Sequence, residues 1–252
     1  MLSQAARKAL DELVASEDST ILGLVLSGSA ARGMATERSD VDVYVVRDDD
    51  VERETSHNSA IDEIYCSVAE LERVDRHGTG GWYFRWSFAY AQVLRDLTGG
   101  RITEAVRRQA TVDDDEQRWV LIDQDRLDGY LNFAYRALKN HRDGRTLEAR
   151  LDAGESVSWL LHVMFTLAGR LRPYNKYLPW ELQTHPLGVP EFSAEAFLPE
   201  LGRILAGDAD AIRRTFTVID REVRAWDVAH DTTVCGDVVD SWGDELVLFS
   251  AQ

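Results

Sequence analysis

The chain has 252 residues, and 44 acidic against 28 basic side chains leave it at −16 near neutral pH, with 44% hydrophobic residues to build a core. That length suits one large domain or two modest ones, and that apolar content excludes global disorder. The charge weighs against nucleic acid as a partner and would draw a cationic small substrate, although solubility alone accounts for it equally well.

Residues 3–16 place Ala6, Leu10, Leu13 and Val14 on one stripe, which predicts a first helix. Asp11 and Glu12 interrupt any apolar leader pattern there, so the expectation is a cytoplasmic protein rather than a secreted one. Residues 21–26 form a short apolar run, a buried strand that stops at the tight turn Ser27-Gly28-Ser29. Residues 41–46 are rich in valine and predict a second strand, followed by an acidic, solvated loop over 47–54. A third strand is expected at 59–68, with Ile61, Ile64 and Tyr65, and then a helical turn over 68–74.

From Trp82 onward strand signals nearly vanish. Amphipathic helices are expected at 82–97, 102–110, 123–140, 147–171, 194–205 and 209–228. Gly78-Thr79-Gly80-Gly81, Leu97-Thr98-Gly99-Gly100 and the acidic run at 113–116 are the breakpoints, which divides the chain into domains 1–112 and 113–252. Pro173 breaks the helical run, and the tail at 237–249 reads equally as strand or helix. The most apolar stretch, 157–171, carries Ser158, His162, Thr166 and Arg170 and falls short of a membrane span. Cys66 and Cys235 are the only cysteines and form no CxxC, and the six histidines lack metal-ligand spacing, so they read as surface or core residues. Trp82, Trp86, Trp159 and Trp180 fall at helical spacings and read as core.

The chemistry concentrates in Leu26-Ser27-Gly28-Ser29-Ala30-Ala31-Arg32-Gly33, followed by Ser39-Asp40-Val41-Asp42-Val43-Tyr44-Val45-Val46. Gly28 lets backbone approach a ligand, Ser29 adds a hydroxyl beside the N–H groups of a helix start, and Arg32 adds a cation: a phosphate cradle. Asp40 and Asp42, two apart on a strand, project from one face, where a divalent cation would relieve their repulsion. A phosphate cradle upstream of a DxD pair suits phosphoryl transfer.

The GSxxRG turn, the ten-residue gap and the SDxD strand together resemble the polymerase-β-type nucleotidyltransferase superfamily over residues 20–68. The layout is similar to its aminoglycoside nucleotidyltransferase branch. The resemblance implies an α+β protein: a catalytic α/β domain with a small mixed sheet, then an all-α helical bundle that caps substrate and nucleotide. It implies ATP or another nucleoside triphosphate as substrate, two Mg²⁺ ions on Asp40, Asp42 and a third carboxylate, and nucleotide contacts from Gly28, Ser29, Arg32 and Ser39. Ile61-Asp62-Glu63-Ile64 offers two acids for that third position, and Asp62 is preferred over Glu63.

The segment Arg172-Pro173-Tyr174-Asn175-Lys176-Tyr177 resembles a stretch in the helical domain of related enzymes. There Lys176, one of three lysines, would reach the triphosphate with Tyr174 and Tyr177 flanking it, and a packed interhelical turn is the equal alternative. Asp96 and Glu181 are further candidates for acceptor binding or base, against an ordinary solvated acid for each. The implied reaction is transfer of a nucleoside monophosphate to a hydroxyl of a small, cationic acceptor such as an aminoglycoside. The same chemistry on a protein or a tRNA end, as in toxin and antitoxin systems, and an inactive nucleotide sensor are the alternatives.

Overall fold

The computed structural model describes residues 2–48, 54–58 and 60–250. Residues 49–53 of the expected acidic loop, and Ser59 at the start of the expected third strand, lie outside them. Two compact units form, Met1–Thr111 and Val112–Gln252.

The first unit opens with α1 (Gln4–Val14), whose cap Ser3 accepts a hydrogen bond from the Ala6 N–H at 3.1 Å. There follow β1 (Ile21–Leu26), α2 (Gly28–Ala31), β2 (Val41–Arg47), β3 (Ser56–His57), β4 (Ile61–Ser67), α3 (Val68–Glu72), β5 (Gln92–Asp96) and α4 (Arg101–Gln109). The strands lie in the order β3-β4-β2-β1-β5. β2 and β4 are parallel, and the other pairings are antiparallel.

Period-two alternation sorts the side chains of this mixed sheet. Val41, Val43 and Val45 join Leu24, Leu26 and Ile61 on one face, packed against Ala6 of α1 and Ala31 of α2. Val25 and Val46 point the other way, into Val68 and Leu71 of α3 and Ile102, Ala105 and Val106 of α4. Burying both faces lets the sheet centre be apolar throughout.

The helix expected at 82–97 does not form. Residues Gly81–Phe88 make a 3₁₀ helix that buries Trp82 and Trp86, Tyr90 turns at φ 63°, and Gln92–Asp96 becomes β5. The tryptophans at i and i+4 produced the helical signal. Among the described residues β5 pairs only with β1 and is partly exposed, so its pattern is mixed and its strand character comes from the open edge of β1.

Asp96 ends β5 and starts α4. Its Oδ1 accepts from the Thr98 N–H and hydroxyl at 2.9 and 2.6 Å, and its Oδ2 from the Thr103 N–H and hydroxyl at 2.9 and 2.8 Å. Burial alone would raise this carboxyl, but those donors outweigh it and hold it well below the usual carboxylate range. Both oxygens thus belong to the turn, and Asp96 is a structural acid rather than an acceptor ligand.

The second unit is helical: α5 (Asp114–Arg118), a π turn at Trp119–Asp123, α6 (Arg126–Arg142), α7 (Thr146–Leu167), α8 (Leu178–Thr184), α9 (Ala194–Leu205), α10 (Ala209–Ala229), α11 (Val234–Asp240) and α12 (Val247–Ser250). α6 lies along α7, close enough that a Cβ at Gly129 would overlap the Trp159 ring. Leu131, Leu160, Phe165, Phe197 and Ile219 are among the buried core. α7 stops before the expected residue 171 because Gly169, at φ 66°, closes a Schellman motif: Gly169 N–H donates to Thr166 O and Arg170 N–H to Phe165 O, both at 2.9 Å. Glu181 is 1% exposed and paired with Arg170, so it too is structural. The ambiguous tail is helical. No helix among the described residues is long and apolar enough to cross a membrane.

Replacing Asp96 by Ala should cost about 2 kcal/mol in urea unfolding of the first unit, the loss of a capping carboxylate. Because the folded-state titration is depressed, the deficit should be full above pH ~5 and shrink as pH falls through and below ~4.

Candidate active site

β1 ends in a turn that requires glycine. Gly28 has φ 61°, and a Cβ there would overlap the Asp42 carboxylate. The turn is tied to β2 through the Ser27 N–H, which donates to Asp42 O at 2.8 Å, and Met34 N–H closes it onto Ser29 O at 2.9 Å. The Asp42 side chain therefore lies directly against the Gly28 backbone, beside Ser29 at the start of α2.

The two acids flank Val41, Asp40 just before β2 and Asp42 within it. Ser39 Oγ accepts from the Thr36 N–H at 3.0 Å, closing a short turn that leads into Asp40, which is exposed, and then into half-buried Asp42. Between them Val41 is fully buried and pins the strand.

Register decides the third acid. In the parallel β2–β4 pair, Asp42 stands opposite Asp62 and Val43 opposite Glu63. Partners in register point to the same face, so Asp62 shares the Asp42 face and Glu63 falls on the opposite one. There Glu63 accepts a hydrogen bond from the Tyr65 hydroxyl at 2.7 Å. Glu63 is thus removed from the candidate set by the thickness of the sheet.

Asp62 also has a partner that the sequence did not reveal. His57 pairs opposite it on β3, with Nδ1 3.1 Å from Asp62 Oδ1. β3 is two residues long, too short to announce itself as a strand, and so His57 read as a scattered surface histidine.

Arg32 is placed differently from expectation. It is 7% exposed, and its guanidinium donates to the carbonyls of Gly28 at 2.6 Å, Trp86 at 3.1 Å, Ser87 at 3.2 Å and Ala89 at 2.6 Å while lying 4.2 Å over the Trp86 ring. This cation braces the turn against the 3₁₀ helix, and its two terminal nitrogens donate to protein carbonyls.

Lys176 and Tyr174 lie on the second unit, in and just before the 3₁₀ turn Asn175–Tyr177 that leads into α8. Both are exposed, and Lys176 Nζ lies 4.7 Å over the Tyr177 ring.

Among the described residues no three His, Cys, Asp or Glu side chains are gathered closely enough to enclose a metal ion. Carboxylate oxygens are nonetheless the right donors for a hard divalent cation, and Mg²⁺ characteristically takes one or two carboxylates and completes its shell with substrate phosphates. The donor chemistry of Asp40, Asp42 and Asp62 fits that mode.

Residues 6–80 match the family model for the nucleotidyltransferase domain. The match spans Gly28, Ser29, Asp40, Asp42 and Asp62. No curated protein matches the chain. The first unit therefore carries a nucleotidyltransferase domain, the domain of a transferase that moves nucleotidyl groups.

If Arg32 is a brace, Arg32→Met should lower stability by about 2–4 kcal/mol in denaturant unfolding, with a matching fall in melting temperature. A phosphate ligand would give the opposite signature, weaker ATP binding at unchanged melting temperature.

Proposed function

We propose that the chain moves a nucleoside monophosphate, AMP in the leading case, from a nucleoside triphosphate to a hydroxyl of a small acceptor and releases pyrophosphate. The observation that carries this reading is the placement of Asp42 in register with Asp62 on one sheet face, directly against the Gly28 turn.

Each residue then has a task. The triphosphate lies on the turn at Gly28 and Ser29, where the missing Cβ and the N–H groups of a helix start accommodate anionic oxygens. Asp40, Asp42 and Asp62 would hold Mg²⁺, and two such ions would supply the positive charge that attacking and leaving oxygens need in an in-line displacement. Asp62, on the strand away from the phosphate turn, takes the acceptor side and receives the proton of the attacking hydroxyl. Its neighbour His57 holds the Asp62 carboxylate in place. Ser39 shapes the approach to Asp40.

The acceptor follows from charge. A net charge of −16 favours a polycationic small molecule over a polyanionic strand, and an aminoglycoside is the leading example, which would make the reaction an antibiotic modification in the cytoplasm.

The test is pyrophosphate release from ATP and from GTP with Mg²⁺, in the presence of pooled aminoglycosides or of tRNA. Release should depend on the aminoglycoside pool and fall at least about a hundredfold in Asp42→Asn, with the melting temperature preserved. Full activity in that variant would overturn the mechanism, and release with tRNA alone would reassign the acceptor.

A further inference from the structure

The sheet face that carries Asp42 and Asp62 continues into a cavity of about 440 Å³. Strand alternation builds its floor. Tyr44 lies two residues beyond Asp42 on β2, and Ile64 and Cys66 lie two and four beyond Asp62 on β4. Leu71 of α3, with Phe84 and Phe88 of the 3₁₀ helix, supplies further wall. At ~3.3 Å per residue, the first ring of lining side chains sits about 7 Å from the two carboxylates.

The charged groups that border this space are already engaged with the protein. Arg85 donates to the carbonyls of Gln109 at 3.0 Å, Asp75 at 3.0 Å and Thr111 at 2.6 Å. Glu70 caps α3 through Ser67, and Asp75 faces Arg73 at 3.7 Å. The Tyr44 hydroxyl shares a 2.7 Å hydrogen bond with Ser87 Oγ. Burial pushes the Cys66 thiol up to about 12, so that wall is neutral at physiological pH. What the cavity offers a ligand is apolar and aromatic surface. Phe84, at 65% exposure, holds a large ring outside the core.

Position assigns the occupant. The Gly28 turn approaches β2 from the β1 side, whereas Ile64, Cys66 and His57 line the cavity from the β4 and β3 side. Asp42 stands between them. A group in the cavity is thus separated from the phosphate turn by Asp42 and lies against His57, which touches Asp62 at 3.1 Å.

We infer that this cavity seats an uncharged ring of the acceptor, presenting a hydroxyl on that ring to Asp62 and leaving any amines of the same molecule at the acidic surface. The inference rests on the nucleotidyl-transfer reading for the word acceptor, and on the cavity alone for the ring.

The experiment titrates the full-length chain with 2-naphthol, adenosine and kanamycin separately, following saturation transfer to ligand protons by NMR, in wild type, Phe84→Ala and Cys66→Phe. The expected result is that 2-naphthol binds, weakens about tenfold in Phe84→Ala for loss of one aromatic contact, and is excluded by the bulk placed at Cys66→Phe. Adenosine showing that same variant sensitivity in place of 2-naphthol would give the cavity to the nucleobase and overturn the assignment. Sensitivity confined to kanamycin, or 2-naphthol binding unchanged in Phe84→Ala, would overturn it as well. Binding needs no turnover, so Asp42→Asn should keep 2-naphthol while losing pyrophosphate release. Ring binding in a chain that never releases pyrophosphate would remove the transfer reading and leave the ring site standing.

Discussion

In-register pairing of β2 with β4 puts two carboxylates, Asp42 and Asp62, on strands about 4.8 Å apart and on the same face. Like charges at that spacing repel, and folding brings them together only because the opposite face is secured by Val41, Val43 and Ile61 in a dry core. A one-residue slip would exchange those valines with the acids. The hydrophobic row therefore fixes the register, and the register creates a concentration of negative charge that a divalent cation and a triphosphate can complete.

The turn after β1 is subordinate to that pair. Gly28 abuts the Asp42 carboxylate, and Arg32, four residues on, ties the Gly28 carbonyl to those of Trp86, Ser87 and Ala89. One buried guanidinium thus joins the turn proposed to hold phosphate with the 3₁₀ helix that walls the adjoining cavity. The Ser27 hydroxyl makes a second tie, donating to the Ser87 carbonyl at 2.6 Å, so a distortion on either side is passed on through two buried side chains with little room to rearrange.

Much of this was legible in the sequence. The glycine-serine turn and the DxD strand announce themselves through residue type and spacing, and β1, β2 and the long helices of the second unit follow from apolar periodicity. Four features were not legible, each for a physical reason. Asp62 and Glu63 are adjacent, and only inter-strand register separates their faces. Arg32 has the chemistry of a phosphate ligand, and only its burial beneath Trp86 reveals the carbonyl cluster that it serves. The helical spacing of Trp82 and Trp86 masked β5, an edge strand held by its neighbour rather than by its own propensity. His57 gave no signal, because its position depends on a two-residue strand pairing across from Asp62.

The most direct measurement is the rate of Mg²⁺-dependent pyrophosphate release in Asp62→Asn beside Glu63→Gln. These acids are neighbours in sequence and lie on opposite faces of one strand, so composition, charge change and local backbone are matched. The account predicts that Asp62→Asn falls by roughly a hundredfold or more while Glu63→Gln stays within a few-fold of wild type. An inactive Glu63→Gln beside an active Asp62→Asn would contradict it.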